Sequence, residues 1–400
     1  LVTACSERAR TAEASLRSRT TLRRAFVVSV LLGVLGPPAG RAALPSGFSR
    51  VRVASGLDQP TAFTFASDRI LVTEKSSGRV RIVRPDGTVR RRPYVTLATS
   101  TNSERGVLGI AVDPNFTANR FVYVFYTTGP GALNYGGSPK NRVSRFATSN
   151  GVGTQEKILL DGIPSDAGNH NGGDIHFGFD GKLYIAVGDG GTFHDQAQVQ
   201  DSLRGKILRI NRDGTIPADN PFYVTNTGKR RAVFAHGFRN PFRFTGRESN
   251  QTYIVADVGQ NTWEEVDALQ AGGNFGWSDY EGPCPANDPR CDPGTTDFGG
   301  TIAPIHFYAH GGAGETGNVI IGGVFAEGSN YPSPYAGAYF YGDNGAGWVH
   351  ALTMDASNVV TSRYDFDQLG CPVSFGVGPD GNVYVADICS GTIDKYVYTP

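Results

Sequence analysis

One local pattern recurs about six times along the 400 residues and limits what they can build. A turn containing Asp, Gly or Asn leads into a short apolar strand with Tyr or Phe, which ends on a small or acidic residue. The copies are Ser67–Val72, Asn119–Val124, Asp180–Ala186, Asn250–Ala256, Gly337–Tyr341 and Asp380–Ala386. Each is too apolar to stand alone and needs neighbours on both faces. Several continue through a second turn into a second strand, as in Lys75–Ile82 and Cys389–Tyr396. Hairpins of this kind stacked radially make a β-propeller, in which the sheets bury one another and leave only short edges. The copies lie roughly 45 to 85 residues apart, wider than common propeller repeats. The excess length is expected in rim loops, where function gathers. Two packed β-sandwiches are the alternative, and the lack of a Pro/Ser-rich linker favours the propeller.

Composition agrees with an all-β chain. Glycine totals 53, aromatics 11% and methionine 1, as many short strands and tight turns require. Lys+Arg and Asp+Glu each total 37, so no basic excess points to nucleic acid and no acidic excess to a solvating, unfolded chain.

The first 43 residues have the character of an export leader. Arg17, Arg19, Arg23 and Arg24 precede the apolar run Phe26–Leu35, which Pro37, Pro38, Ala39 and Gly40 then break. That run is too short for a permanent span of a bilayer about 30 Å thick, but it suits a signal segment. Arg23 and Arg24 resemble a twin-arginine signal, and cleavage is expected near Ala42–Ala43. Residues 44–400 then form a single propeller, secreted or periplasmic, with no stable membrane span. Cys5 mimics a lipid-acylation site but lacks a preceding apolar run. Cys284, Cys291, Cys371 and Cys389 remain, an even number that suits an oxidising compartment. Cys284 and Cys291 are expected to staple a polar loop, and Cys371 and Cys389 to bridge a strand pair. Paired C-x-x-C knuckles for zinc are missing.

The chemistry-bearing residues cluster in glycine-rich loops. His170 lies in D-A-G-N-H-N-G-G, where flanking glycines keep an imidazole accessible, and a near-neutral pKa suits proton removal from a hydroxyl. Asp189, in G-D-G-G, is placed to accept a hydrogen bond from His170 and fix its tautomer. A solvated loop histidine and a self-satisfied turn aspartate are the plain alternatives. Arg239 and Asn240 stand in H-G-F-R-N-P, where a guanidinium beside an amide can hold an anion or polarise a carbonyl; the alternative is a structural arginine between blades. D-V-G-Q-N-T-W-E-E-V-D (Asp257–Asp267) combines carboxylates with glycine-rich backbone, the hard oxygen ligands Ca²⁺ prefers, though no EF-hand pattern is present. Trp277, in G-G-N-F-G-W, reads as packing.

In order, these segments resemble a family. Gly106–Phe116, the His170 loop, Leu203–Asn211, Asp213–Phe222, His236–Pro241, Gln260–Glu265 and Gly272–Trp277 together look like the soluble glucose/sorbosone dehydrogenases. These are six-bladed quinoproteins that use pyrroloquinoline quinone (PQQ) and Ca²⁺ to oxidise aldoses. The resemblance runs from about Ser46 to Tyr398. It implies that His170 is the base for the sugar's anomeric hydroxyl, Asp189 its support, and Arg239 the arginine beside the quinone, with Asn240 as a cofactor-side neighbour. It also implies that the backbone carbonyls of Gly259 and Gln260 hold the Ca²⁺ on PQQ, and that Glu264 and Glu265 lie where structural Ca²⁺ ligands fall. A sugar substrate and an external electron acceptor complete the expected partners.

The chain departs from the glucose enzymes of that family at three places. No Lys or Arg follows Gly323-Val324-Phe325-Ala326, and Cys371-Pro372-Val373-Ser374 stands where they place two arginines. Those cations would meet cofactor carboxylates. Arg105, in E-R-G-V-L-G, is a candidate for the compensating charge, but the same E-R-G form resembles the non-catalytic Hedgehog-interacting propellers. A propeller that binds a carbohydrate or protein partner without redox chemistry, or a Ca²⁺-dependent lactone hydrolase, are the competing expectations.

Overall fold

All six recurring segments fall at one position of the architecture: each leads into the second strand of a four-stranded antiparallel sheet and covers most of it. A computed structural model describes residues 44–192, 194–286, 288, 297–311 and 315–400. The expected leader and Cys291, with the pairing to Cys284, lie outside the described residues.

Each blade begins with an inner strand beside the central axis and steps outward in chain order. The inner strands are Pro60–Ala66, Val107–Val112, Ile175–Phe177, Pro241–Arg247, Ile320–Phe325 and Pro372–Val377. Five blades are continuous in sequence. The sixth takes Phe48–Ala54 as its outer strand, paired antiparallel with Thr392–Tyr398, so the two ends of the described chain close the ring. Cys371 and Cys389 form a disulfide across this last blade, as expected.

Burial follows from the stacking. Second strands such as Leu183–Val187 and Val383–Asp387 are buried along their whole length, because neighbouring blades cover both faces. Aromatic side chains fill the wedge between blades: Phe366 packs edge-on against Phe48, Phe340 and Tyr396.

The up-and-down strands put connections at two ends. First-to-second and third-to-fourth turns lie at one end; second-to-third turns and blade-to-blade crossovers lie at the other. His170, Asp189, Arg239 and Gln260 all sit on connections of the second kind, after strands Val152–Pro164, Leu183–Val187, Val233–His236 and Thr252–Asp257 respectively. Long connections explain the uneven repeat spacing: Val187 to Lys206 carries Asp189 and a short 3₁₀ turn, His194–Ala197, and Ala268 to His306, between a third and a fourth strand, returns to the site with Trp277 and Glu281. No helix among the described residues is long and apolar enough to cross a membrane.

Candidate active site

His170 enters the site in a backbone conformation that L-residues rarely take, with φ at +49°. Such a conformation costs about 1–3 kcal/mol and needs support from its surroundings. That support is present: its N–H donates to Glu104 Oε2 at 2.8 Å, and its carbonyl accepts from Gly190 N–H at 3.3 Å. Gly188 lets the two loops close, because a Cβ there would stand 2.2 Å from the His170 carbonyl oxygen.

The ring is fixed at both nitrogens. Nδ1 lies 2.7 Å from Asp189 Oδ1, and Nε2 lies 2.8 Å from Arg239 Nη2. A guanidinium only donates, so Nε2 carries the lone pair and Nδ1 the proton that Asp189 accepts. Asp189 is fully buried and also accepts from Gly191 N–H at 2.7 Å, Trp277 Nε1–H at 2.8 Å and His194 Nδ1 at 2.5 Å. Burial pushes its carboxyl upward, but the hydrogen bond and charge of His170, with the hydrogen bonds from His194 and the Gly191 N–H, outweigh this and hold it well below the usual carboxylate range.

Arg239 is held on three sides. Nη1 donates to Val258 O at 2.7 Å, Nε to Gln260 Oε1 at 2.7 Å, and the guanidinium lies 5.7 Å from the Trp277 ring centre. Burial lowers its pKa, opposed by the charges of Asp189, Asp257, Glu264 and Glu104. Asp257 fixes the backbone beneath it, accepting from Arg239 N–H at 2.7 Å and Asn240 N–H at 2.6 Å. The Asn240 side chain turns to the Gly172 N–H, 3.0 Å away, and so clamps the His170 loop. Arg105 also serves that loop, donating to Ser165 Oγ, Ser165 O and Asp166 O.

Sequence reasoning missed several members. His194 has no motif around it, yet its imidazole shares Asp189 with His170 and packs edge-on against Trp277. Its half-exposed ring contrasts with the nearly buried His170. Lys206 anchors the segment that carries it, with Nζ donating to Gln196 O, Ala197 O and Arg204 O. Trp277 is more than packing, because it donates to Asp189. Lys75, buried beside Glu104, and Arg204, which reaches Asp166 and Asp189 O, add positive charge around the His170 loop. These signals were hard to find because the groups carry no motif of their own and meet only once the Val187–Lys206 connection folds back on itself and approaches Trp277.

The residues suggested for metal binding separate into two places. Glu281 Oε1 accepts from four successive N–H groups, Gln260 to Trp263, at 2.7 to 3.3 Å. N–H and C=O point opposite ways in a trans peptide, so the Gly259 and Gln260 carbonyls are turned away from Glu281. Neither accepts a hydrogen bond among the described residues. Gly259 is required here, since a Cβ would meet Trp263 O at 1.6 Å. This pair of outward carbonyls fits a hard cation.

Glu264 and Glu265 do not converge, because successive strand residues face opposite sides. Glu264 is consumed by His310 Nε2 at 2.6 Å and by the N–H groups of Gly259 and Ile320. Glu265 pairs across the sheet with Asp257 and shares a face with Asp267. Both Asp267 oxygens are buried without a hydrogen-bond partner. Burial pushes all three carboxyls up, helped at Glu265 by the charges of Asp267 and Asp257, at Asp267 by that of Asp257, and at Asp257 by that of Asp189. A buried anionic trio with an orphaned carboxylate is the donor set that a divalent cation satisfies.

Comparison with known proteins places the chain among propellers of one kind. The family pattern described as Glucose / Sorbosone dehydrogenase matches residues 57–393. HIPL1 protein of Arabidopsis thaliana is 35% identical over 238 residues, covering 52% of this chain and 34% of that protein. Quinoprotein glucose dehydrogenase B of Acinetobacter calcoaceticus is 29% identical over 274 residues, covering 62% and 56%. Hedgehog-interacting protein of Homo sapiens is 32% identical over 218 residues, covering 48% and 30%. The chain thus spans about a third of the length of the HIPL1 and Hedgehog-interacting relatives. A solved glucose dehydrogenase superimposes with a TM-score of 0.75 at 25% identity, covering 88% of this chain and 99% of its own.

Proposed function

Because the chain belongs to the glucose/sorbosone dehydrogenase family, we propose that it is a quinoprotein oxidoreductase that oxidises an aldose-type sugar at its anomeric hydroxyl. The observation that carries this reading is the His170 ring, with Nδ1–H on a buried carboxylate and the lone pair of Nε2 on the Arg239 side. That is the orientation and tautomer a hydroxyl-deprotonating base needs.

PQQ, when bound with Ca²⁺, supplies a quinone that takes up a hydride. Arg239 and the free carbonyls of Gly259 and Gln260 are the groups that would hold the pair, with Lys75, Arg105 and Arg204 contributing positive charge nearby. His170 Nε2 accepts the hydroxyl proton, and Asp189 stabilises the imidazolium that results. Arg239 must leave Nε2 for that step, because two N–H donors cannot face each other. Trp277 and Gly191 keep Asp189 ionised and stationary throughout. A structural Ca²⁺ would be held by Asp257, Glu265 and Asp267. An external acceptor removes the electrons, and a secreted or periplasmic setting suits the Cys371–Cys389 disulfide.

The test is a PQQ titration followed by absorbance, with and without Ca²⁺. Saturable binding that requires Ca²⁺ supports the reading, and no binding under either condition rejects it. A second reading, a propeller that binds a partner without redox chemistry, draws on the Hedgehog-interacting relative and on the engagement of Nε2 by Arg239. Sugar turnover lost in His170→Ala would exclude it.

A further inference from the structure

Two open spaces on the described surface lie at the opposite end from His170, between the first two blades. Two adjoining cavities of about 370 and 430 Å³ share Asp68, Arg69, Ile82 and Asn150, and together form one trough. Its walls come from the first-to-second and third-to-fourth strand turns of the two blades. Four arginines line it: Arg69, Arg84 and Arg90 from the first blade and Arg120 from the second.

Their arrangement is unusual for a solvated surface. Arg69 and Arg90 converge on Gly151, each placing Nη1 3.2 and 3.1 Å from where a Cβ on that residue would sit. Arg90 is oriented by donating to Gly151 O at 3.0 Å. Asp68 is the single carboxylate lining the trough, 3.4 Å from Arg69 Nε and well exposed. Arg84 donates to Thr88 Oγ1 rather than to an acid. Counting Asp86, whose charge reaches Arg84, four guanidinium groups against two carboxylates leave a local excess of positive charge in a chain whose net charge is zero. Planar guanidinium forks match carboxylate and sulfate oxygens.

The remaining lining narrows the ligand. Ile82 and the half-buried Phe116 make an apolar floor, and Asn150 offers neutral polar atoms at the rim. Two joined cavities accommodate an extended occupant in place of a compact ion. We propose that this trough binds an acidic oligosaccharide, its rings over the apolar floor and its carboxylate or sulfate groups between Arg69 and Arg90. This site is independent of the candidate active site.

Calorimetric titration at physiological salt tests it with three probes: a sulfated heparin tetrasaccharide, a tetragalacturonate and neutral cellotetraose. The expected result is saturable binding of one or both acidic probes that is at least about tenfold weaker in the Arg69→Gln/Arg90→Gln double variant, with the response to the neutral probe the same in both proteins. Which acidic probe binds separates sulfate from carboxylate recognition. His170→Ala should bind like the wild type. Failure of both acidic probes would overturn the proposal. So would equal binding by a double variant with an unchanged melting temperature, or full displacement by equimolar inorganic sulfate, an adventitious ion only.

Discussion

Arg239 Nη2 stands 2.8 Å from His170 Nε2. The contact settles which nitrogen of the ring is the acceptor, and it makes the arginine a gate on the only lone pair the imidazole has. Arg239→Lys keeps a charge but loses the planar fork that also binds Val258 O and Gln260 Oε1. Steady-state kinetics of the reconstituted variant should show kcat/KM reduced by about 10²-fold or more. An unchanged value would remove Arg239 from the chemistry.

Asp189→Asn should be worse for catalysis than for folding. The amide cannot stabilise an imidazolium, and it can present an N–H where His170 Nδ1 needs an acceptor. A loss of about 10²–10⁴ in kcat/KM is expected. Buried donors on His194, Trp277 and Gly191 lose a charged acceptor, so denaturation should register a cost of about 1–3 kcal/mol. Because the carboxyl is held below its unfolded range, its stabilisation is full above about pH 4 and is lost as pH falls through the lower folded value.

His194→Ala should alter the pH profile more than the maximal rate. Removing one of the two imidazoles on Asp189 leaves its charge concentrated on His170. The acidic limb of kcat/KM should then move to higher pH. A change in KM alone, with the limb in place, would assign His194 to sugar contact instead.

Calcium should stabilise the protein more at high pH than at low pH. Asp257, Glu265 and Asp267 are pushed up, so without metal their protonated forms favour the fold. Metal-free stability is therefore greatest below about pH 4 and declines as pH rises through the raised values, about 7 for Asp257. A bound divalent cation reverses that preference. Thermal melts in Ca²⁺ and in chelator should diverge between pH 5 and pH 8, and a constant gap would argue against this trio as ligands.

Glu281→Ala should weaken the calcium requirement of cofactor binding without unfolding the blades. Four N–H groups lose their shared acceptor, so the Gly259 and Gln260 carbonyls lose their fixed direction. A rise of about tenfold or more in the Ca²⁺ needed for half-maximal PQQ binding is expected.

The blades were legible because a strand covered on both faces must be apolar at nearly every position, as Leu183–Val187 is. The His170, Asp189 and Arg239 loops were legible for a related reason: glycines mark where the chain turns at the rim. His194, Lys206 and Glu281 were not: the first two act only once the Val187–Lys206 connection folds back on itself, and Glu281 reaches back from the Ala268–His306 connection to the Gln260–Trp263 turn. Glu264 and Glu265 show the converse. Adjacent in sequence, they face opposite ways on the strand, and the second joins Asp257 and Asp267 instead.

Aldose-dependent dye reduction by the PQQ- and Ca²⁺-reconstituted protein, compared with His170→Ala, tests the central claim most directly. Turnover in the wild type, abolished in the variant while PQQ still binds, is the predicted result. Equal turnover in both proteins, or none in a wild type that has bound PQQ, would contradict it.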